Sequence, residues 1–416
     1  MIGRARGTIV ASGAGMLEAE LPFVCAGETV AIRGAGRDAH ARVIALRGTR
    51  ASLAPFGTVD GIARGDVVTA GGSAGFGPLG CVLLGRAIDA SGAALDGGRA
   101  LRSTRAGRDP GAPALDERRP CRELFATGVR AVDGPLAFGR GARIGIFGPP
   151  GAGKSSLVDA VVRGSDADAT VVALIGERGR EAERRIAALD ARTTVVCATG
   201  DRPPAERLRA AEVAFAQAGA LRARGLDVLL VVDSLARIAA AAREIALAAG
   251  EAPGRGGFPP SVFATVARLL ERAGRVSAGS ITLVATVLSD GPDEHDPVSE
   301  AARAGLDGHL VLCERLARMG RFPAIDLVRS TSRTFAECAG AGHLAAARLL
   351  RAAVAALDES RDARGLGIDA SAGDPFLARV LEAEPAIEAF LRQDDAPSPF
   401  AHTIACLEAL AQSLRA

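Results

Sequence analysis

Apolar residues fall along the chain in three successive patterns, and each predicts a different kind of element. Up to about residue 75 they form short β-type runs cut by glycine: GTIVAS, ETVAIRG, ARVIALRGTRASLAP and GDVVTAGG. Gly48-Thr49 sits where a hairpin would reverse. Closely spaced strands without helical periodicity predict a small β-barrel. From about residue 140 the runs RIGIF, TVVALIG, TTVVCAT, VLLVVD, SITLVATVL and GHLVLC alternate with alanine- and arginine-rich helical segments. Strands apolar on both faces and spaced by helices predict a mostly parallel sheet covered on both sides. Residues 86–120, rich in Gly, Ala, Arg and Pro, read as a crossing segment. Beyond about residue 345, HLAAARLLRAAVAALDES and PFLARVLEAEPAIEAFLRQ read as amphipathic helices. The expected class is α/β: a barrel over 1–75, a core over 76–345 and a helical domain over 346–416.

Composition changes this picture at one residue. The 416 residues suffice for such a division and a sizeable core. A net charge of +2 marks neither a nucleic-acid binder nor an anionic-membrane binder. Seven scattered cysteines without a CxxC pair predict reduced thiols in the cytoplasm, not a disulfide frame or zinc site. The five histidines, His40, His295, His309, His343 and His402, show no metal spacing. The N-terminus MIGRARGTIVASGAGM lacks the apolar run of a signal peptide. The longest membrane candidate, VLLVVDSLARIAAAA, is broken by Asp233 and Arg237. Of 50 basic residues, Lys154 alone is lysine, and Trp, Tyr and Asn are absent. Against such compositional drift a solitary survivor is informative.

Lys154 lies in Gly148-Pro149-Pro150-Gly151-Ala152-Gly153-Lys154-Ser155-Ser156, which fits the phosphate-loop pattern G-x-x-x-x-G-K-[ST]. The motif follows the apolar run RIGIF and opens a helical segment, the context that pattern requires. Backbone N–H groups of such a loop wrap around phosphates, and the helix N-terminus adds favourable dipole charge. A compact ammonium fits inside that cradle where a planar guanidinium does not. Lys154 is thus expected to reach the β- and γ-phosphates of ATP, with the Ser155 hydroxyl on Mg²⁺.

Two carboxylates have candidate roles beside it. Asp233 ends VLLVVD, at the carboxyl edge of a buried strand where a Mg²⁺ partner is needed; the plainer reading is a helix N-cap. Glu177 follows TVVALIG and can polarise an attacking water; equally, it can be one more acid at an exposed helix start in GERGREAERR.

Several segments together resemble the ATPases of bacterial type III secretion, both injectisome and flagellar, a family similar to the catalytic subunits of rotary ATP synthases. They are LGRAIDASGAALDG, ALIGERGREAERRI, VDSLARIAAAAREIALAAGE, GGFPPSVFATVARLLERAG, GSITLVATVL, DGHLVL, FPAIDLVRSTSR and PAIEAFLRQ. The resemblance runs over nearly the whole chain. It implies a RecA-like core in a homohexameric ring. Glu177 then matches the family's catalytic glutamate, and Arg178 and Arg237 match arginines near the γ-phosphate. Arg333 falls where the family places an arginine finger that serves the neighbouring subunit. Phe322 matches an aromatic that packs on adenine, for which a ring face suffices. Taken singly, these arginines read as surface or ion-pair residues and Phe322 as core.

The same resemblance implies partners: stalk and stator proteins, chaperone–substrate complexes and the membrane-embedded export gate, with the ring peripheral at the inner membrane. Two departures stand out. His295 in SDGPDEHDP replaces a different polar residue, and the loop Gly250–Ser261 carries additional glycine, which implies greater mobility. The segment REIALAAGEAP points towards the injectisome branch. Two other functions share parts of this pattern. A rotary ATP synthase subunit shares fold and site, but its catalytic chain carries an acidic DELSEED-like run absent from this tail. A Rho-like RNA translocase would carry stacking aromatics on its N-terminal domain. Residues 1–75 hold only Phe23 and Phe56, so no nucleic acid is expected.

Overall fold

The computed structural model describes residues 5–13, 15–34, 38–71, 76–101, 109–288, 296–368, 371 and 373–415. His295 lies outside them.

Six antiparallel strands close into a barrel in the spatial order Arg6–Gly13, Met16–Glu20, Arg50–Phe56, Asp38–Arg47, Thr29–Arg33, Val67–Ala70 and back to the first. Closure leaves no free sheet edge. Its interior is filled by Ile9, Leu17, Leu21, Val30, Ile32, Val43, Leu53 and Val68. The hairpin reverses at Gly48, whose φ of +63° suits the first central position of a two-residue turn. Met16–Glu20 is a strand that the apolar runs do not reveal, because Glu18 and Glu20 interrupt them on its outer face. An ion pair in which Arg42 Nη1 donates to both carboxylate oxygens of Glu212, at 2.7 and 2.8 Å, ties the barrel to the core.

The core sheet runs Ile325–Ser332, Gly308–Leu312, Arg143–Gly148, Ser280–Leu288, Asp227–Asp233, Ala169–Ile175, Thr193–Ala198, Arg86–Ile88. Every neighbouring pair is parallel except the first, which is antiparallel. Alternate residues of one strand enter two different cores, as a period of two requires. Val172 and Leu174 pack with the helix Lys154–Gly164 through Leu157, Val158 and Val161. Val171, Ala173 and Ile175 pack on the opposite side with the helices Pro204–Arg222, Leu235–Ala248 and Pro260–Leu270. The six apolar runs read from the sequence are all strands of this sheet.

The tail contains the long helices Ala341–Glu359, Pro375–Leu391 and Phe400–Arg415. Leu350, Val380, Ile387, Leu407 and Leu414 join the same apolar cluster as the helix Lys154–Gly164. The loop Gly250–Ser261 is well tied. Arg255 makes a bidentate pair with Glu300 at 2.6 and 2.9 Å, and the Ser261 hydroxyl donates to Glu251 at 2.5 Å. Its glycines answer backbone needs more than slack: Gly256 and Gly257 have φ of +61° and +77°.

Candidate functional site

The phosphate loop emerges from the carboxyl end of Arg143–Gly148 and enters the helix Lys154–Gly164. Glycine is required at three of its positions. A β-carbon on Gly148 would fall 2.9 Å from Leu312 Cβ, and Gly151 and Gly153 have φ of +80° and +93°. The Lys154 ammonium donates to the carbonyls of Gly148 and Pro149 at 2.7 and 2.8 Å, so it sits at the mouth of the loop. Ala152 is buried beneath it, whereas Ser156 is exposed.

A cleft of about 720 Å³ opens over this loop, lined by Pro150, Gly151, Gly153, Lys154, Ser155, Ser156, Glu177, Asp233 and Arg237. Asp233 ends its strand at the cleft wall and accepts a 2.6 Å hydrogen bond from the Thr286 hydroxyl through Oδ1. Ser234 takes the N-cap position of the next helix, without a side-chain capping bond. The serine hydroxyl and aspartate carboxylate facing this cleft are hard oxygen donors, the chemistry that suits Mg²⁺.

Glu177 is 8% exposed, so it is not the solvated helix-start acid that its surroundings in sequence allow. Arg237 reaches it with Nε at 3.0 Å and also donates to the Gly176 carbonyl at 2.5 Å. Burial, a hydrogen bond with Glu181 and the charge of Asp233 push the Glu177 carboxyl up to about 8, outweighing Arg237. A carboxylate with that proton affinity is matched to accepting a proton near neutral pH.

Phe322 is 47% exposed, and its ring stands against the loop: a β-carbon on Gly153 would meet it at 3.8 Å. Arg178 is exposed at the N-cap position of the helix Gly179–Ala187, and its side chain does not line the cleft. Glu181, Arg184 and Thr286 do line it. Sequence reasoning missed them, although Glu181 lies in the first turn of the helix that begins just after Glu177.

Arg333 lies elsewhere. It follows the strand Ile325–Ser332, which runs antiparallel to its neighbour, and its N–H donates to the Asp307 carbonyl at 2.8 Å. Asp307 in turn accepts from the N–H of Arg143, at the opposite end of the strand that leads into the phosphate loop. Five residue steps of about 3.3 Å separate that level from Gly148, or roughly 16 Å. An extended arginine side chain does not span this. Burial, together with the charges of Arg303, Arg333 and Arg329, holds His309 below its usual pKa.

A phosphate loop on a mostly parallel sheet, with a strand-end aspartate and a buried glutamate in one cleft, defines a P-loop ATPase. Residues 128–332 match the model of the ATP synthase alpha/beta family nucleotide-binding domain, and residues 339–409 match that of the T3SS EscN ATPase C-terminal domain. A type 3 secretion system ATPase of Sinorhizobium fredii is 40% identical over 97% of this chain and 92% of its own length. A flagellum-specific ATP synthase of Salmonella typhimurium is 41% identical over 86% and 82%. The assembled ATPase EscN of the enteropathogenic E. coli type III secretion system superposes with a TM-score of 0.91 at 36% identity, covering 97% of this chain and all of EscN. A second EscN structure, in complex with its central stalk EscO, gives 0.86. The chain belongs to the type III secretion ATPase family and is an ATP-binding ATPase. Identities of 40% and 41% do not separate the injectisome branch from the flagellar one.

Proposed function

We propose that this chain hydrolyses MgATP at sites that two copies complete together in a homohexameric ring, and that the ring drives unfolding and release of chaperone-bound substrates for export. The observation that carries the reading is the placement of Arg333 roughly 16 Å along the sheet from its own phosphate loop. A cation that cannot reach the site of its own chain is available to the site of the next one.

In this reading the N–H groups from Gly151 to Ser156 and the Lys154 ammonium hold the triphosphate, with Gly148, Pro149 and Pro150 forming the turn that leads into them. Ser155 and Asp233 hold Mg²⁺, which supplies charge neutralisation across the phosphates when bound. Glu177 orients the attacking water and takes its proton. Arg237 keeps the glutamate in place through the 3.0 Å contact and offers positive charge to the γ-phosphate. Arg178 lies one residue from Glu177, and closure of a neighbour over its exposed side chain would bring it into play. Arg333 presents positive charge to the neighbour's transferred phosphoryl group. Phe322 packs on adenine.

EscN, which this chain resembles over its whole length, has been solved assembled and with a central stalk. By that relationship the ring encloses a stalk protein and works at the cytoplasmic face of a membrane-embedded gate. Among the described residues no helix is long and apolar enough to cross a membrane. The test is the dependence of specific activity on protein concentration, read beside gel filtration with and without MgATP. Activity per chain should rise with assembly; activity constant from monomer to ring would refute the shared site.

A further inference from the structure

The loop that carries Phe322 is tethered on both sides of that residue to the helical tail. Arg321, 9% exposed, donates from Nη1 to Glu388 Oε1 at 2.9 Å. The Phe322 carbonyl accepts the backbone N–H of Gln393 at 2.9 Å. Glu388 lies in the last turn of the helix Pro375–Leu391, and Gln393 follows two residues after its end. These bonds fix the backbone from which the aromatic ring projects, at the residue itself and at the one before it.

Gln393 is itself fixed to the core by every polar atom of its side chain. Its amide donates to the carbonyls of Gly128 and Ala396 at 2.7 and 2.9 Å, and its oxygen accepts the N–H of Arg130 at 2.8 Å. The next residues continue the strap. Asp395 pairs with Arg163 of the phosphate-loop helix at 3.1 Å, and the Ser398 N–H donates to the same Gly128 carbonyl at 2.9 Å. Pro397 packs where that helix ends: a β-carbon on Gly164 would fall 3.0 Å from its Cβ. One short segment, 393–398, therefore holds the rear of the phosphate-loop helix and the ring beside the front of the loop.

We infer that Glu388 and Gln393 are positioning residues for the nucleotide base: they set where Phe322 stands relative to Gly153, and through them the tail governs base affinity. This rests on the reading of Phe322 as the adenine platform. The tail meets the Phe322 loop directly through these bonds, whereas it meets the phosphate-loop helix only at its far end, and the Lys154 ammonium is held by carbonyls of its own loop. The tail thereby gains a route to tune nucleotide affinity without touching the phosphates.

The test measures ATP hydrolysis by Gln393→Ala, Glu388→Gln and Phe322→Ala, singly and in pairs, with inorganic tripolyphosphate as a competitive inhibitor that has no base. Glu388→Gln, which weakens the Arg321 anchor, and Gln393→Ala, which frees the segment whose backbone N–H holds the Phe322 carbonyl, should each raise KM for ATP roughly five-fold with kcat and the tripolyphosphate inhibition constant unchanged. Phe322→Ala, which removes the ring itself, should raise KM at least as much. Pairing either tail variant with Phe322→Ala should add little, because all three act through one ring. An unchanged KM in both tail variants, with Phe322→Ala raised, overturns the strap and leaves Phe322 as platform. An unchanged KM in Phe322→Ala overturns the platform itself. Equal weakening of ATP and tripolyphosphate shows a structural role alone, and Glu388→Gln keeps the question open to test should Gln393→Ala misfold.

Discussion

Mixing two inactive variants tests the shared site directly. Arg333→Ala removes the cation that the proposed shared site takes from the neighbour, and an arginine in that role is worth about 10³- to 10⁵-fold in kcat, or roughly 4 to 7 kcal/mol. Glu177→Ala removes the proposed base, which stands in the same cleft as Lys154 of its own chain. Alone, each variant gives rings in which every site lacks one group. In a one-to-one mixed ring, a site is complete when an Arg333→Ala chain, which keeps Glu177, faces a Glu177→Ala chain, which keeps Arg333. Random assembly makes each condition true for half the positions, so about a quarter of sites regain both groups in any closed ring with head-to-tail interfaces.

The assay is steady-state phosphate release from the mixture, against each variant alone and against wild type at equal chain concentration. Differently tagged variants captured together establish that mixed rings form. The expected rate is about a quarter of wild type, well above either parent. If Arg333 served its own chain, no mixed ring would hold a complete site and the rate would stay at the parental floor. No recovery in demonstrably mixed rings would therefore refute the argument drawn from the antiparallel edge strand.

Three further outcomes follow from the geometry. Lys154→Arg keeps the charge but should hydrolyse ATP at under about 1% of the wild-type rate with an unchanged melting temperature, and a rate above roughly a tenth would mark the lysine as incidental. The Glu177 carboxyl, ordinarily near 4.5 and here pushed up to about 8, predicts that kcat/KM rises with pH along a limb centred near 8. Between those values the folded chain holds a proton that the unfolded chain has lost, so this group's contribution to stability falls as pH rises through the window. Glu177→Gln should therefore gain in melting temperature over wild type between pH 5 and 8, and a gap constant with pH would refute the assignment. Asp133, fully buried, accepts hydrogen bonds from the N–H and hydroxyl of Thr127 and the N–H of Gly128, at 2.7 to 2.9 Å. Asp133→Asn turns an amide N–H₂ towards one set of donors and should cost about 2 to 4 kcal/mol in urea unfolding; a change under about 1 kcal/mol would show that the carboxylate is dispensable.

What the sequence disclosed and what it hid divide along a physical line. Lys154, Glu177 and Asp233 were legible because each follows an apolar run, and the carboxyl ends of parallel strands share one sheet edge. Their meeting in one cleft needs no knowledge of distant contacts. The edge strands were harder. Arg86–Ile88 is only three residues long and lies in a glycine-rich stretch, too short for its two buried residues, Ala87 and Ile88, to make a pattern, and the Arg86–Asp96 pair at 2.6 Å also holds it. Ile325–Ser332 mixes polar and apolar positions because one of its sides has no strand partner. Its antiparallel direction cannot be read from composition, yet that direction sends Arg333 away from its own phosphate loop.

The tail shows the same limit more sharply. Its helices announce themselves by period, but their destination does not follow from it, since an apolar stripe specifies burial and not the surface that covers it. Here Leu350, Val380 and Leu407 complete the core on the face of the sheet occupied by the phosphate-loop helix. The polar residues at the rim of that contact, Glu388, Gln393 and Asp395, are unremarkable in sequence and acquire significance only from their partners Arg321, Phe322, Gly128 and Arg163. A segment remote in the chain thus shares its packing with the helix that opens at the phosphates. The tail's polar contacts at this rim fall on the Phe322 loop and on the rear of that helix, at the end away from Lys154.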